Sequence, residues 1–411
     1  MVELSSENEK IINELVAGYT KLSRIEKKFF PQDLRSLLKQ YRDTKDKLHN
    51  AFEIVQTITK NKPQTKFSCL KSFSESALGK VCFLLTANEL HATENLYASL
   101  THSKPARLSA ALRALNNNAL LVGTEGQQNF EAVAYHPIPD KVANALISLD
   151  ARQMLDNVNR QTVLANSADP ASVANLLKKL AILGLLVGGN ANINRAVVAN
   201  HPDPATLLLG VNELEASISA LQDNFVAIAG AKAIYSTALA LKELQEEGLL
   251  DDSNRQALVN HAYPSAVAAA LVYLHQAALL SDANRHAVSN CSFPTRSALL
   301  LMLKAGILEQ DNFNQLIKYA DILLDKETAV LWEKIPVDKV NQEKFSAIIS
   351  ICTNNQKNLD SGKTAFKIYA EKQFQLNNNF SLRNKFFSNV DTISSHASEC
   401  NLDGQKLKIT N

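Results

Sequence analysis

Apolar residues in the middle of the chain recur in blocks about thirty residues long. Each block contains a shorter stretch with one apolar face and a longer stretch that is rich in Ala and Leu. Residues 267–274 and 299–303 are apolar on every side of a helix. A helix that is apolar all round is buried between neighbours. The pattern therefore predicts pairs of helices stacked in series, because each pair then buries the surface of the next.

Three residue types keep a constant phase within these blocks. Asn follows a Leu-rich run eight times, at intervals of 28 to 35 residues: Asn95, Asn129, Asn159, Asn194, Asn224, Asn254, Asn284 and Asn312. His follows seven residues later in four units: His102, His136, His201 and His261. Pro follows ten residues later in five units: Pro105, Pro139, Pro204, Pro264 and Pro294. A shared period of this kind is the mark of a repeat protein.

Capping residues place the helices within each unit. Asp251 and Ser281 suit the N-cap of a first helix that ends about nine residues later, near Asn260 and Asn290. Pro suits the first turn of the second helix, so Pro264 begins a helix that is predicted to reach residue 279. Gly184, Gly248 and Gly306 suit its C-terminus.

The predicted fold is an all-α, right-handed superhelical solenoid of about eight two-helix repeats, with helical caps at both ends. The predicted parts are an N-terminal helical segment (1–66), an α-solenoid repeat domain (67–335), a C-terminal helical cap (336–387) and a polar tail open to disorder (388–411). Apolar positions between 34 and 55 predict long amphipathic helices in the first part. Residues 67–90 resemble a second helix that has no recognisable first helix before it.

Composition agrees with this fold and narrows the possible functions. The chain has 411 residues, whereas a single hydrophobic core accommodates roughly 250–300 residues. Its 13 Gly and 11 Pro are too few for an all-β protein. The formal net charge is +2, and residues 67–322 carry 18 basic against 22 acidic side chains, which argues against a nucleic-acid partner. Five irregularly spaced Cys residues favour a reducing compartment. With no signal peptide or long apolar run, we expect a soluble, intracellular protein.

The sequence predicts no catalytic residue, no cofactor and no metal site. Residues 361–364 read Ser-Gly-Lys-Thr, but Lys357 stands where a phosphate-binding loop needs Gly. Cys69, Cys82 and Cys352 lie in apolar runs, where Cys is usually inert. Consecutive His residues of the repeat are about 10 Å apart, too far to share a zinc ion. We interpret them as helix-end residues that bind the last carbonyl groups.

The Asn row has two interpretations. Asn side chains repeated along a groove can hold the backbone of an extended peptide. On this interpretation, the partner-binding candidates are Asn159, Asn194, Asn254, Asn284, Arg195, Arg255 and Arg285. Alternatively, each Asn pins the loop that precedes it and holds adjacent repeats in register. The Arg that follows Asn in several units is replaced by Phe at Phe130, Phe225 and Phe313, so a basic stripe is only partial.

The unit Leu-Leu-x-x-x-Asn-Arg/Phe, followed by His, Pro and an Ala/Leu-rich helix, resembles the armadillo-like or HEAT-like helical repeats of effector proteins that Legionella and related bacteria inject into host cells. The resemblance covers residues 95–335. It implies a host protein or peptide as partner and delivery into the host cytoplasm. The polar segment 394–400 would then resemble a type IV secretion signal.

These observations predict a non-catalytic scaffold that binds a protein partner through the groove of the solenoid. The alternative is an enzyme, or an adaptor of the ubiquitin pathway, with its activity in the non-repeat ends. A further alternative is binding to a membrane surface through residues 24–30, where Lys27 and Lys28 precede Phe29 and Phe30. The acidic residues Glu26 and Asp33 dilute that segment, so membrane binding is disfavoured.

Overall fold

The computed structural model describes residues 3–61, 67–214, 220–291 and 296–376. These residues form twenty-five α-helices and one short 3-10 turn, and they contain no β-strand. The all-α class predicted from the sequence is confirmed. The predicted tail and the last residues of the predicted C-terminal cap lie outside the described ranges, as does Pro294.

The N-terminal helices are α1 (Ser6–Lys21), α2 (Arg24–Lys27), α3 (Gln32–Gln40), α4 (Lys47–Asn61), α5 (Ser68–Glu75) and α6 (Ala77–Ala87). Paired helices follow: α7 (Thr93–Thr101), α8 (Pro105–Asn117), α9 (Gly123–Ala134), α10 (Pro139–Asp150), α11 (Asn157–Ala165), α12 (Pro170–Ile182), α13 (Ala191–Asn200), α14 (Pro204–Asn212), α15 (Leu221–Gly230), α16 (Ile234–Glu246), α17 (Asp252–Val259) and α18 (Pro264–Gln276). The last helices are α19 (Asp282–Ser289), α20 (Arg296–Lys304), α21 (Gln310–Lys318), α22 (Ala320–Leu323), α23 (Lys326–Trp332), α24 (Gln342–Asn354) and α25 (Leu359–Phe374).

The chain divides into two compact units, residues 1–265 and 266–411. In the first unit the helix that comes second in each pair, here called the second helix, packs against the second helix of the next pair. This succession runs α6, α8, α10, α12, α14 and α16. Leu112, Leu146, Leu177 and Leu241 are fully buried along it. The first helices pack beside it, with α7 against α9, α11 against α13 and α15 against α17.

Local signals set the helix boundaries as predicted. The Asp251 and Ser281 side chains cap α17 and α19 by accepting from the backbone N–H groups of Asn254 and Asn284. Pro is the first residue of α8, α10, α12, α14 and α18. The N–H group at that position has no partner within the helix, so Pro, which lacks the N–H, costs no helical hydrogen bond there.

In the described residues, a left-handed residue follows the second helices α6, α8, α10, α12, α16, α18 and α20. Gly184, Gly248 and Gly306 have φ values of +73°, +70° and +68°. Ala119 and Ala278 take the same conformation, with φ of +58° and +57°. The N–H of the next residue then bonds to a carbonyl five residues back, as from Leu185 to Leu180 and from Leu279 to Leu274. This geometry turns the following carbonyl toward the start of the next first helix.

One sequence-based expectation for the N-terminal part is wrong. Residues 67–90 form two helices, because Ser76 ends α5 in an extended conformation and caps α6 by accepting from the Gly79 N–H. Any Cβ at Gly79 would lie 1.9 Å from the Phe73 carbonyl oxygen, so the tight corner requires Gly. The amphipathic helices predicted over residues 34–55 are α3 and α4, which are separated at residues 41–46.

In the second unit α25 packs against α22, α23 and α24, and α20 packs against α23. Trp332 is fully buried there and donates its indole N–H to the Leu323 carbonyl at 2.8 Å. Its ring centroid lies 5.3 Å from that of Phe366. The domain boundaries predicted at 66, 335 and 387 stay predictions.

Candidate functional site

The repeated Asn side chains pin the loops that precede them. Asn95, Asn159 and Asn194 donate through Nδ2 to the carbonyl oxygens of Leu90, Met154 and Leu185, at 2.9, 2.8 and 2.7 Å. Asn129, Asn254, Asn284 and Asn312 make the same bond. Each acceptor carbonyl belongs to the residue after the left-handed helix end. The loop-pinning interpretation of the Asn row is therefore confirmed for these seven residues.

The Oδ1 atom of the same Asn accepts a hydrogen bond from the following repeat, and one type of donor is Arg. Arg160 Nε donates to Asn129 at 2.8 Å, and Arg195 Nε donates to Asn159 at 2.9 Å. Arg255 Nε donates to Asn224 at 2.7 Å. We call each such contact between repeats a rung, and the whole series within a unit the asparagine ladder.

The other type of rung uses Gln. Gln127 and Asn95 exchange two hydrogen bonds of 2.7 and 3.0 Å, which form a closed amide–amide pair. Gln222 pairs with Asn194 through two bonds of 2.7 Å. In the second unit, Gln310 pairs with Asn284 and Gln342 pairs with Asn312 in the same way. Each pair satisfies polar groups that would otherwise be costly to bury.

The two rungs follow a rule that sequence reasoning missed. Where Arg follows the ladder Asn, the residue two positions before that Asn is itself Asn or Asp. This earlier residue accepts a hydrogen bond from the Arg, as Asp252 does from Arg255. Where Gln stands two positions before the ladder Asn, the residue directly after that Asn is Phe. The examples are Gln127 with Phe130, Gln222 with Phe225, and Gln310 with Phe313. These Phe side chains are at most 1% exposed, so they fill the space that the Arg stem occupies elsewhere.

The same rule identifies a ninth repeat. Gln342 and Phe345 have the spacing of a Gln rung, although Lys344 replaces the Asn between them. Gln342 makes the rung contact, and Phe345 is buried. Helices α24 and α25 are thus related to the repeat by its interaction pattern. The coupled occurrence of Gln and Phe was visible in the sequence and could have revealed this unit.

The predicted partner-binding residues are part of this interior network. The side chains of Asn159, Asn194, Asn254 and Asn284 are at most 4% exposed. Arg255 is 7% exposed, and Arg195 donates from Nη1 to Asn192 as well as from Nε to Asn159. Arg285 is paired with Asp282. A role of these seven residues in binding a partner stays a prediction.

The His side chains cap the loop between the two helices of a pair. Their main contact is with a backbone N–H group, so the interpretation that they bind helix-end carbonyls is wrong. The Nδ1 atoms of His102, His136, His201 and His261 accept from the backbone N–H two residues later, at 2.9 to 3.2 Å. A backbone N–H can only donate, so each Nδ1 carries no proton. His102 Nε2 lies 3.3 Å from the His136 carbonyl of the next repeat.

Burial shifts the pKa values of two of these His residues and of three Cys residues. Desolvation lowers the pKa of His102 and of His136 below the usual value for His. Burial raises the pKa of the Cys82 and Cys352 thiols to about 12 and that of Cys291 to about 11. These thiols are protonated at neutral pH and are poor nucleophiles.

The remaining candidate features have structural roles. Ser361 to Thr364 lie in the first turns of α25, where Gly362 packs on Ile322 and Lys363 pairs with Asp325 at 2.7 Å. Two surface depressions in the end regions are each lined by one helix alone, α1 or α25. Across the described ranges, no three His, Cys, Asp or Glu side chains converge in a way that could hold a metal ion.

The proposed membrane-binding segment is only partly exposed. Phe30 is buried against Tyr19, whereas Ile25 and Phe29 are 71% and 62% exposed. The Lys27 ammonium group donates to the Thr20 carbonyl. In the part of the chain that the structure describes, no helix combines the length and the apolar character that crossing a bilayer requires. Membrane-surface binding stays a prediction.

Comparison with known proteins adds no relative: no protein-family model, curated protein or solved structure matches this chain.

Proposed function

We propose that this chain is a non-catalytic scaffold that binds a protein partner through a face of its stacked helices. The asparagine ladder is the observation that carries the proposal. Its rungs join the first helices of successive repeats at equivalent atoms, so equivalent surface positions recur at regular intervals. A surface of this kind suits an extended partner, as in other helical repeat proteins.

The proposed arrangement is a right-handed solenoid with the second helices on its inner side. In the first unit, the second helices pack against one another more closely than the first helices do. Closer spacing on one side of a stack favours curvature toward that side. Small side chains along the second helices, such as Ala111, Ala145 and Gly210, permit this close approach.

A bacterial effector that binds a host protein is the biological setting we propose. Its support is the resemblance of the repeat sequence to Legionella-type effectors. Delivery by a type IV system is part of this proposal. It can be tested by fusing the full chain to a β-lactamase reporter and measuring cleavage of a fluorogenic substrate in infected host cells, with a secretion-deficient strain as control.

The binding function itself is tested by affinity capture from host-cell lysate followed by reconstitution. The full chain and an unrelated helical repeat protein serve as paired baits. We expect a protein that is enriched on the full chain and that forms a complex of micromolar or tighter affinity when both components are purified. Failure of every captured protein to bind in purified form would overturn the scaffold proposal.

A further inference from the structure

We propose that the exposed face of the second helices α8, α10, α12, α14 and α16 binds an extended peptide segment with acidic residues at one end and apolar residues at the other. This inference rests on the proposed scaffold function and names its partner class. It assigns the binding amides to Asn144 and Asn175, which lie on a different surface from the buried asparagine ladder.

One repeat position forms a row along this face. The residue five positions after the first residue of each second helix is exposed in all five helices: Ala110, Asn144, Asn175, Leu209 and Leu239. Successive second helices are in contact, so these residues are neighbours. Among the described residues, the amides of Asn144 and Asn175 make no hydrogen bond. Each amide can therefore both donate to and accept from a peptide backbone.

The spacing of the row matches an extended chain. Packed helix axes are about 8–10 Å apart, and an extended chain advances about 3.3 Å per residue. Every third peptide residue can then lie over a new helix. A segment of roughly 12 residues crosses from α8 to α16 on the same arithmetic. Ala106, Ala171 and Ala205 are exposed beside the row, and their short side chains allow a backbone to approach.

Charge on one half of the face favours acidic peptide residues. Helices α8, α10 and α12 carry five basic side chains and two acidic ones: Arg107, Arg113, Lys141, Lys178, Lys179, Asp140 and Asp150. Arg107 is 3.9 Å from Asp140. Within the described ranges, Arg113 and Lys179 have no ion-pair partner. The first helices α7, α9 and α11 show the opposite balance, with three acidic residues, Glu94, Glu125 and Glu131, against one basic residue, Arg160.

The other half of the face is apolar. Leu209 on α14 is 49% exposed, and Tyr235 and Leu239 on α16 are 45% and 37% exposed. Leu209 and Leu239 occupy the same repeat position on helices that pack against each other. Exposed apolar side chains grouped in this way are typical of interaction sites. The apolar end of the peptide would therefore lie over α14 and α16.

The proposal is tested with a phage library of random 14-residue peptides, selected on the full chain and on an unrelated helical repeat protein. The most enriched peptide is then synthesised with a fluorescein label, and its Kd is measured by anisotropy. We expect enriched peptides to contain at least two acidic residues, with an apolar residue about six to nine positions away. The variants N144A/N175A and L209A/L239A should each raise Kd at least tenfold.

The matched control is N118A/N200A, which removes two exposed amides that each bond only to the backbone carbonyl four residues earlier. This control should leave Kd within twofold. Enrichment of basic peptides, or an unchanged Kd for N144A/N175A, would overturn the proposal. So would a single-stranded oligonucleotide that binds as tightly as the acidic peptide. A peptide that binds the full chain but ignores the face variants would refute this face while leaving the scaffold function standing.

Discussion

Replacement of Asn194 by Ala is the sharpest perturbation of the asparagine ladder. Asn194 is fully buried in α13 and takes part in three hydrogen bonds of 2.7 Å. One holds the Leu185 carbonyl of the preceding loop, and two form the amide pair with Gln222 of the following repeat. Alanine removes all three bonds without adding a clash.

The expected loss follows from these contacts. A typical hydrogen bond contributes about 1 kcal/mol net, so three bonds amount to about 3 kcal/mol. Gln222 is half-buried and can turn toward water, which reduces the loss. The higher helix propensity of Ala offsets roughly a further 0.5 kcal/mol. We therefore expect N194A to lower the free energy of unfolding by about 2–3 kcal/mol.

Urea denaturation followed by circular dichroism measures this loss. Because repeat arrays need not unfold in one step, amide hydrogen exchange should be measured alongside urea denaturation. We expect faster exchange in the loop after Gly184 and at the start of α15. The control is N200A in the same helix, where the exposed amide bonds only to the Ala196 carbonyl. An effect of N194A below about 0.5 kcal/mol, or equal to that of N200A, would refute the structural role of the ladder.

Three further predictions concern the rungs, the His row and the helix ends. The double variant Q222D/F225R converts a Gln rung to an Arg rung. Urea denaturation should show that it is more stable than F225R alone, because F225R buries a guanidinium group without the Asn or Asp partner that the Arg rungs have. A double variant that is no more stable than F225R would contradict the rule. Because burial lowers the pKa of His102 and His136, the unfolded chain takes up protons that the folded chain does not, so stability should fall as the pH drops below about 6.5. H102N/H136N should flatten this dependence in denaturation curves between pH 5 and pH 8, and an equally steep curve would contradict it. A278G should raise the free energy of unfolding by about 1 kcal/mol, since φ is +57° there and Gly adopts it without strain; a destabilised A278G would contradict this.

The repeat could be predicted from the sequence because its signals are local. Asp251 as a cap, Pro264 at a helix start and Gly248 at a helix end each act within a few residues of their position. The phase of Asn was also visible. Its position in the interior was not, because an Asn beside polar residues is usually exposed. Only its partners 26 to 36 residues away, such as Gln222 and Arg195, explain the burial.

The proposed binding face was harder to find in the sequence. Asn144 and Asn175 lie within Ala/Leu-rich helices, and neither belongs to the repeated Asn row. Their alignment becomes evident only when α10 and α12 are seen to be neighbours. The break at Ser76 was missed for a related reason. The apolar pattern continues through residues 67–90, and the corner depends on the contact between Gly79 and the Phe73 carbonyl.

The central claim is that the asparagine ladder acts inside the chain while Asn144 and Asn175 meet the partner. The most direct test compares the Kd of the selected 14-residue peptide for N159A and for N144A/N175A, with both variants shown to be folded by circular dichroism. We predict that N159A binds within threefold of the original chain and that N144A/N175A binds at least tenfold more weakly. A folded N159A that loses the peptide, together with a face variant that keeps it, would contradict the claim.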